Sequence, residues 1–245
     1  MSNVKKNYRK GGFTFKQFFV GHDRCAMKVG TDGVLLGAWA PVQQAKRALD
    51  IGCGSGLIAL MLAQRNSQLL IDAVELDNAA AEQAQENFTE SKWAGRLRVF
   101  AQDIVEFSAV NPQQYDLIVS NPPYFEPSVS CSTEQRDQAR YTATLTHETL
   151  LDCAKQCLVA DGVLCLVLPY EVGEKVEIMA NKEGWFTAYR INIQDKSTTA
   201  FHRMLLGLKL SFVEPNVSTL ALKEVDSQVY TEDFQQLIRE FYLKY

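Results

Sequence analysis

Long apolar runs are missing from this chain: none approaches the ~20 residues that a membrane-spanning helix needs. The N-terminus is basic and lacks the apolar core of a secretory signal. Six cysteines fall at irregular spacings with no C-x-x-C pair, which argues against a disulfide framework and against a zinc site. Cys153 and Cys157 share one helical face, but no histidine pattern completes a metal site. Both therefore read as small buried residues, and no metal is expected. Histidine is scarce. His22, His147 and His202 stand far apart in sequence, and none is expected to act as a catalytic base. Membrane, secreted-scaffold and metalloprotein classes are set aside, and a reduced, cytoplasmic setting is expected. What is present is a chain of 245 residues, 47% hydrophobic, enough for the core of one α/β domain.

The most informative stretch is Asn121-Pro122-Pro123-Tyr124, directly after the buried-strand pattern Tyr115-Asp116-Leu117-Ile118-Val119-Ser120. Two consecutive prolines cannot donate to a sheet ladder and each fixes φ, so the strand must end there in a stiff loop. That loop pins two acceptors, the Asn121 amide oxygen and the Pro122 carbonyl, beside an aromatic ring. Such a set suits a planar group that carries an NH2, either the amino edge of adenine or a carboxamide.

Upstream, Ala48-Leu49-Asp50-Ile51 runs into Gly52-Cys53-Gly54-Ser55-Gly56 and then an apolar, helix-like segment from Leu57. Glycines let a ligand approach the backbone, and the following helix N-terminus presents unpaired N–H groups. The spacing is G-x-G-x-G behind Asp50, with Leu57 where a dinucleotide fold would want a third small residue. It resembles the first motif of the class I S-adenosylmethionine methyltransferases. Glu75 stands about 20 residues on, where an acid binds ribose hydroxyls in a nucleoside-binding βαβ unit. Asp103, after Leu97-Arg98-Val99-Phe100, falls where such families place an acid facing the adenine of the cofactor.

Strands centred on Leu49, Ala73, Val99, Ile118 and Leu166 alternate with helical stretches. These include Asn78–Phe88, a helix capped by Thr146, and one that follows Pro169 and stops near Gly184. Thr187–Ile193 and His202–Val213 read as an antiparallel pair. The expected fold is α/β, a Rossmann-like doubly wound and mostly parallel sheet with a C-terminal antiparallel strand pair. The glycine loop, Glu75, Asp103 and Asn121 each follow a strand, so all four should meet on one rim. Gly30-Thr31-Asp32-Gly33 has turn chemistry and is placed as a loop over the cofactor, before a helical run Val34–Trp39. The run Phe234, Leu237, Ile238, Phe241 reads as a packing face. Residues 1–40 are expected to form a basic, aromatic N-terminal extension packed on a methyltransferase domain spanning 41–245.

The core resembles the amino-methylating class I methyltransferases, whose hallmark is Asn/Asp-Pro-Pro-Tyr/Phe/Trp. The whole chain is similar to the bacterial tRNA(Val) adenine-N6 methyltransferases. The closer match is carried by Phe13-Thr14-Phe15-Lys16-Gln17-Phe18, Lys28-Val29-Gly30-Thr31-Asp32-Gly33-Val34-Leu35-Leu36-Gly37 and Tyr230-Thr231-Glu232-Asp233-Phe234. The resemblance implies the class I methyltransferase fold and methyl transfer from S-adenosylmethionine to N6 of the adenosine just 3′ of the anticodon of a valine tRNA. It implies Asn121, Pro122 and Tyr124 in catalysis. It implies cofactor contacts from Asp50, Gly52, Gly54, Gly56, Glu75, Asp103, Asn121 and Thr31.

Lys5, Lys6, Arg9, Lys10 and Lys16 all precede the first acid, Asp23, and Tyr8, Phe13, Phe15, Phe18 and Phe19 are interleaved with them. Basic residues bind phosphates and aromatics stack on splayed bases, so this segment, with Tyr124 and Phe125, is the expected RNA contact. The formal net charge of −4 does not oppose it, because the positive surplus sits at one end. A tRNA partner, no membrane and a monomer are expected. The alternatives are a protein glutamine-N5 methyltransferase, whose carboxamide NH2 resembles an adenine amino group, and an amino methyltransferase of ribosomal RNA or DNA.

Overall fold

The computed structural model describes residues 10–123 and 145–243. A short antiparallel hairpin of β1 (Gly12–Thr14) and β2 (Phe19–Gly21) comes first, and α1 (Thr31–Trp39) follows it. Four strand–helix units come next: β3 (Arg47–Ile51) with α2 (Leu57–Arg65), β4 (Leu70–Glu75) with α3 (Asn78–Thr89), β5 (Leu97–Ala101) with α4 (Ile104–Val110), and β6 (Tyr115–Ser120) with α5 (His147–Cys157). The chain continues through β7 (Leu158–Pro169), α6 (Tyr170–Lys182), β8 (Phe186–Lys196), β9 (Phe201–Lys209), β10 (Asn216–Lys223) and α7 (Glu232–Ile238).

The large sheet has the order β10-β8-β9-β7-β6-β3-β4-β5. Pairings from β7 to β5 are parallel, and β9 runs antiparallel to both β7 and β8. The sheet is covered on both faces, and period-two alternation divides its side chains between two cores. On β7, Val163, Cys165 and Val167 enter one core while Leu164, Leu166 and Leu168 enter the other. The first core is closed by α1, α2, α3 and α7, the second by α4, α5 and α6. Chain order reverses at β3, which lies between β4 and β6, and the carboxyl ends there are where a doubly wound sheet receives its ligand.

The strand centres and the Asn78 and Thr146 helix starts agree with the sequence reading. The side chains of Asp77 and Thr146 accept from Ala80 N and Thr149 N, as helix caps do. Cys153 and Cys157 are buried in the second core. Three expectations change. Gly30–Gly33 is not a loop: Gly30 is an extended N-cap and the helix begins at Thr31. The turn-like glycine is a packing residue, since a Cβ on Gly33 would lie 3.0 Å from Leu57 Cδ2, and one on Gly37 2.8 Å from Met61 Sδ. Absent side chains there let α1 approach α2. The strand expected over His202–Val213 ends at Lys209, and the expected final pair gains a third member, β10, which joins β8 in parallel at the sheet edge.

The third change concerns the N-terminal aromatics. Phe15 and Phe18 are buried and stack at 4.6 Å, with Tyr242 at 6.0 Å from Phe15 and Trp93 at 5.6 Å from Phe18. Lys16 N donates to the Phe241 carbonyl at 2.8 Å. These two rings tie the hairpin to the C-terminal segment, and burial removes them from the pool that could stack on a base.

Candidate active site

The glycine loop leaves β3 beneath an internal scaffold of carboxylates. Asp50 is fully buried, and its Oδ2 accepts the Ala59 N–H at 3.1 Å in the first turn of α2. Its Oδ1 is buried without a hydrogen-bond partner among the described residues, and burial pushes the carboxyl up to about 7. Glu75, at the end of the neighbouring β4, is also buried. Its Oε2 accepts the Gly54 N–H at 2.8 Å and its Oε1 the Asp77 N–H at 3.0 Å, fixing the loop relative to the start of α3. Gly52 and Gly54 have φ of +68° and +53°, and a Cβ on either would meet nothing within 4 Å. Their bare side faces open space, as a ligand cradle requires. Gly56 differs: a Cβ there would lie 2.4 Å from Phe88 Cε1, so its missing side chain admits α3.

Two cavities meet over this loop. The first, about 520 Å3, is bounded by Glu75, Leu76, Asp103, Ile104 and Pro122. Acidic side chains and apolar walls together suit a nucleoside, with hydroxyls to the carboxylate and a ring between aliphatic side chains. The second, about 560 Å3, runs past Thr31 and Asp32 to the rim built by Asp195, His202, Arg203 and Lys223. Asn121, Gly52, Gly54 and Met27 line both. Asn121 follows β6, whose last residue, Ser120, donates its hydroxyl to the Ile51 carbonyl at 2.8 Å and so locks β6 to β3 just below the junction.

The expected rim residues therefore converge in part. Glu75, Asp103, Gly52, Gly54, Asn121, Pro122 and Thr31 line one or both cavities. Asp103 also caps α4, with Oδ1 2.8 Å from Val105 N. Asp50 and Gly56 stand behind the loop and shape it. Tyr124, Phe125, Lys5, Lys6 and Arg9 lie outside the described residues. Lys10 is exposed just before β1, and the exposed Lys16 donates its ammonium to the Arg239 carbonyl.

Sequence spacing gave no hint of the residues that hold the roof. The segment 22–30 crosses from β2 to α1 and lines both cavities. Asn87 of α3 holds its origin, pairing with Gly21 N at 2.9 Å and Gly21 O at 2.8 Å while donating to Ser55 O at 2.8 Å. Arg24 reaches α3 at Gln83 and Glu86. Across the second cavity, Arg203 Nε lies 2.9 Å from both carboxylate oxygens of Asp32, joining β9 to the first turn of α1. An acid two residues into a helix that starts after Gly30 is the one sequence signal that could have marked this pair.

Comparison with known proteins bears on what such a site serves. Residues 28–190 match the family model described as "Methyltransferase small domain". The tRNA1(Val) (adenine(37)-N6)-methyltransferase of Photorhabdus laumondii is 56% identical over 242 residues, covering 98% of this chain and 99% of the relative. The one from Serratia proteamaculans is 59% identical over 239 residues, covering 97% and 92%. The chain belongs to the tRNA1(Val) (adenine(37)-N6)-methyltransferase family. Solved structures agree on the class I methyltransferase fold. A predicted O-methyltransferase from Agrobacterium tumefaciens superimposes with a TM-score of 0.69 at 20% identity, over 86% of this chain and 96% of that one. Pyrococcus horikoshii TYW2 in complex with MeSAdo gives 0.56 at 14% identity, over 83% and 74%.

Proposed function

We propose that this chain transfers a methyl group from S-adenosylmethionine to N6 of adenosine 37 in tRNA1(Val), as a monomer in the cytoplasm. One observation carries the reading: Asn121, followed by the stiff Pro122-Pro123, sits where a cavity walled by Glu75 opens into a second one that reaches the rim. The bare Gly52 and Gly54 and the buried Glu75 carboxylate fit the nucleoside half of the cofactor in the first cavity. Asp103 and Ile104 would flank its base, and Thr31 at the start of α1 would face its amino-acid end. When bound, that cofactor supplies an electrophilic methyl on a sulfonium.

Adenine N6 is a poor nucleophile because its lone pair is delocalised into the ring. Asn121 Oδ1 and the Pro122 carbonyl accept its two hydrogens, draw the nitrogen towards tetrahedral geometry and aim the lone pair at the junction. These hydrogen bonds strengthen as the nitrogen becomes positive, so they stabilise the transition state more than the ground state. Alignment does the rest; positioning of this kind is worth ~7–11 kcal/mol. Tyr124 would stack on the base and Phe125 would help close the site. No strong general base is needed when the N6 proton leaves after transfer. Burial lowers the pKa of His202 in the second cavity, so its ring is neutral at pH 7. The anticodon-loop base must leave its stack to arrive, at a cost of a few kcal/mol. Lys5, Lys6, Arg9, Lys10 and Lys16 are assigned to the tRNA backbone.

The test offers the purified protein unmodified tRNA1(Val), the same tRNA with guanosine at position 37, and a protein substrate, each with labelled S-adenosylmethionine. N6-methyladenosine in the first tRNA alone is the expected result. Label in the protein would favour glutamine methylation instead.

A further inference from the structure

The segment 22–30 has no helix or strand, yet it forms a wall of both cavities, the first through residues such as Cys25 and the second through Lys28, Val29 and Gly30. Its two ends are pinned together by one side chain. His22 Nδ1 accepts the backbone N–H of Val29 at 3.1 Å, and the His22 backbone N–H donates to the carbonyl of Gly11, just before β1, at 3.1 Å. The bond closes an Ω-like loop whose middle, Met27, lines both cavities at their junction. An imidazole nitrogen can accept only while it carries no proton.

We propose that His22 is a positioning residue that holds residues 22–30 as a strap across the cofactor, and that protonation of its ring releases the strap. This rests on the cofactor reading given under the proposed function. A protonated Nδ1 would point its N–H at the Val29 N–H, so the acid form converts an attraction into a repulsion. The outer attachments remain, because Arg24 still binds Gln83 and Glu86, and Asn87 still binds Gly21. The strap then hinges about its start rather than unfolding.

The charges around the ring agree with a neutral resting form. Burial and Lys28 disfavour the proton, in that order, and Asp23 favours it. On α3, Glu82 and Glu86 are both paired with Arg24, and Gly11, just before β1, meets His22 through its backbone carbonyl. The His22 pKa in the closed strap is thus below its ordinary 6.5. A group with a depressed pKa in the closed state supports closure fully above its open-state value and loses that support as the pH falls through the closed-state value. The window is therefore the acid side of about 6.5.

Calorimetric titration of the full chain with S-adenosylmethionine between pH 5 and 8 tests this. The wild type should bind with a constant Kd above pH 7 and weaken below about 6.5. His22→Ala should bind about fivefold more weakly at pH 8, the factor carried by one net hydrogen bond. His22→Asn, whose amide oxygen can accept from Val29 but does not titrate, should recover that loss and remove the acid weakening. Hydrogen exchange at the Val29 amide in the wild type should lose protection over the same window. Acid weakening of equal size in wild type and His22→Asn, or unchanged Val29 protection, overturns the strap while leaving the cofactor site standing. No binding by the wild type at pH 8 overturns the cofactor reading and the strap with it.

Discussion

Glu75 Oε2 lies 2.8 Å from the backbone nitrogen of Gly54, 21 residues away, while the other oxygen of the same carboxylate accepts from Asp77. Both oxygens thus accept from backbone N–H donors of the fold itself, which ties the glycine loop to the start of α3 through one carboxylate. Glu75→Ala should weaken S-adenosylmethionine binding by roughly tenfold or more. Glu75→Gln should be nearly as harmful, because an amide can accept from only one of the two donors and turns its NH2 on the other. Calorimetry on both variants checks this, and full affinity in the Gln variant would remove the two-donor account.

Gly54 and Gly56 separate room for ligand from room for protein. Alanine at either position carries the cost of a left-handed φ, roughly 1–2 kcal/mol. Only at Gly56 does the new Cβ also meet the Phe88 ring, at 2.4 Å. Gly56→Ala should therefore lower the melting temperature more than Gly54→Ala, while Gly54→Ala should lose more cofactor affinity than stability. Melting curves and Kd measured on the same preparations decide it.

Asn121→Ala should abolish methyl transfer and leave cofactor binding nearly intact, since in the proposed mechanism its amide addresses the acceptor amine. A loss of at least ~10²–10³ in single-turnover rate is the scale for one such group. A wild-type rate would exclude Asn121 from the chemistry.

Asp50 predicts a pH dependence of stability. Burial raises its carboxyl from 3.8 to about 7 in the fold, so the folded chain holds a proton that the unfolded chain has lost. The support from that proton is complete below the unfolded value and disappears as the pH rises through the folded one. The melting temperature of Asp50→Asn relative to wild type should climb between pH 4 and 7 and level off above, with no cofactor present. A constant difference would mean that Asp50 is ionised throughout.

Removing residues 1–10 takes away Lys5, Lys6, Arg9 and Lys10. If each neutralises a phosphate, the slope of log K against log salt for tRNA should fall by roughly 0.7–0.9 per contact, with cofactor affinity unchanged. Titrations at several salt concentrations compare the two forms. Equal slopes would assign the tRNA backbone to the rim that includes Arg203 and Lys223.

What the sequence made legible was whatever repeats with a period or sits at a strand end. The strands around Leu49, Ala73, Val99, Ile118 and Leu166 announce themselves by continuous apolar runs, and the residues just past them form the rim. β10 escaped because only Leu220 and Leu222 of its eight residues are buried, too few for an alternation to show. Gly33 was misread because a glycine that admits a neighbouring helix looks in sequence like one that makes a turn. Phe15 and Phe18 were assigned to RNA because a ring interleaved with lysines has one spacing whether it meets a base or another ring. His22, Asn87 and the Asp32–Arg203 pair act through partners between 7 and 171 residues away, which no local pattern encodes.

The clasp between the hairpin and the C-terminal segment sets an order of events during synthesis. Lys16 and Arg239, which meet in it, are 223 residues apart. At ~5–20 residues per second, a ribosome needs roughly 10–45 s to pass from one to the other. Through that interval Phe15 has no Tyr242 to pack on, while the Asn87 bonds at the start of segment 22–30 and the Trp93 contact of Phe18 can already form. The parallel strands β3 to β6 can assemble meanwhile. A nascent chain would therefore hold its glycine loop, Asn121 and segment 22–30 in place well before the C-terminal clasp seals the hairpin.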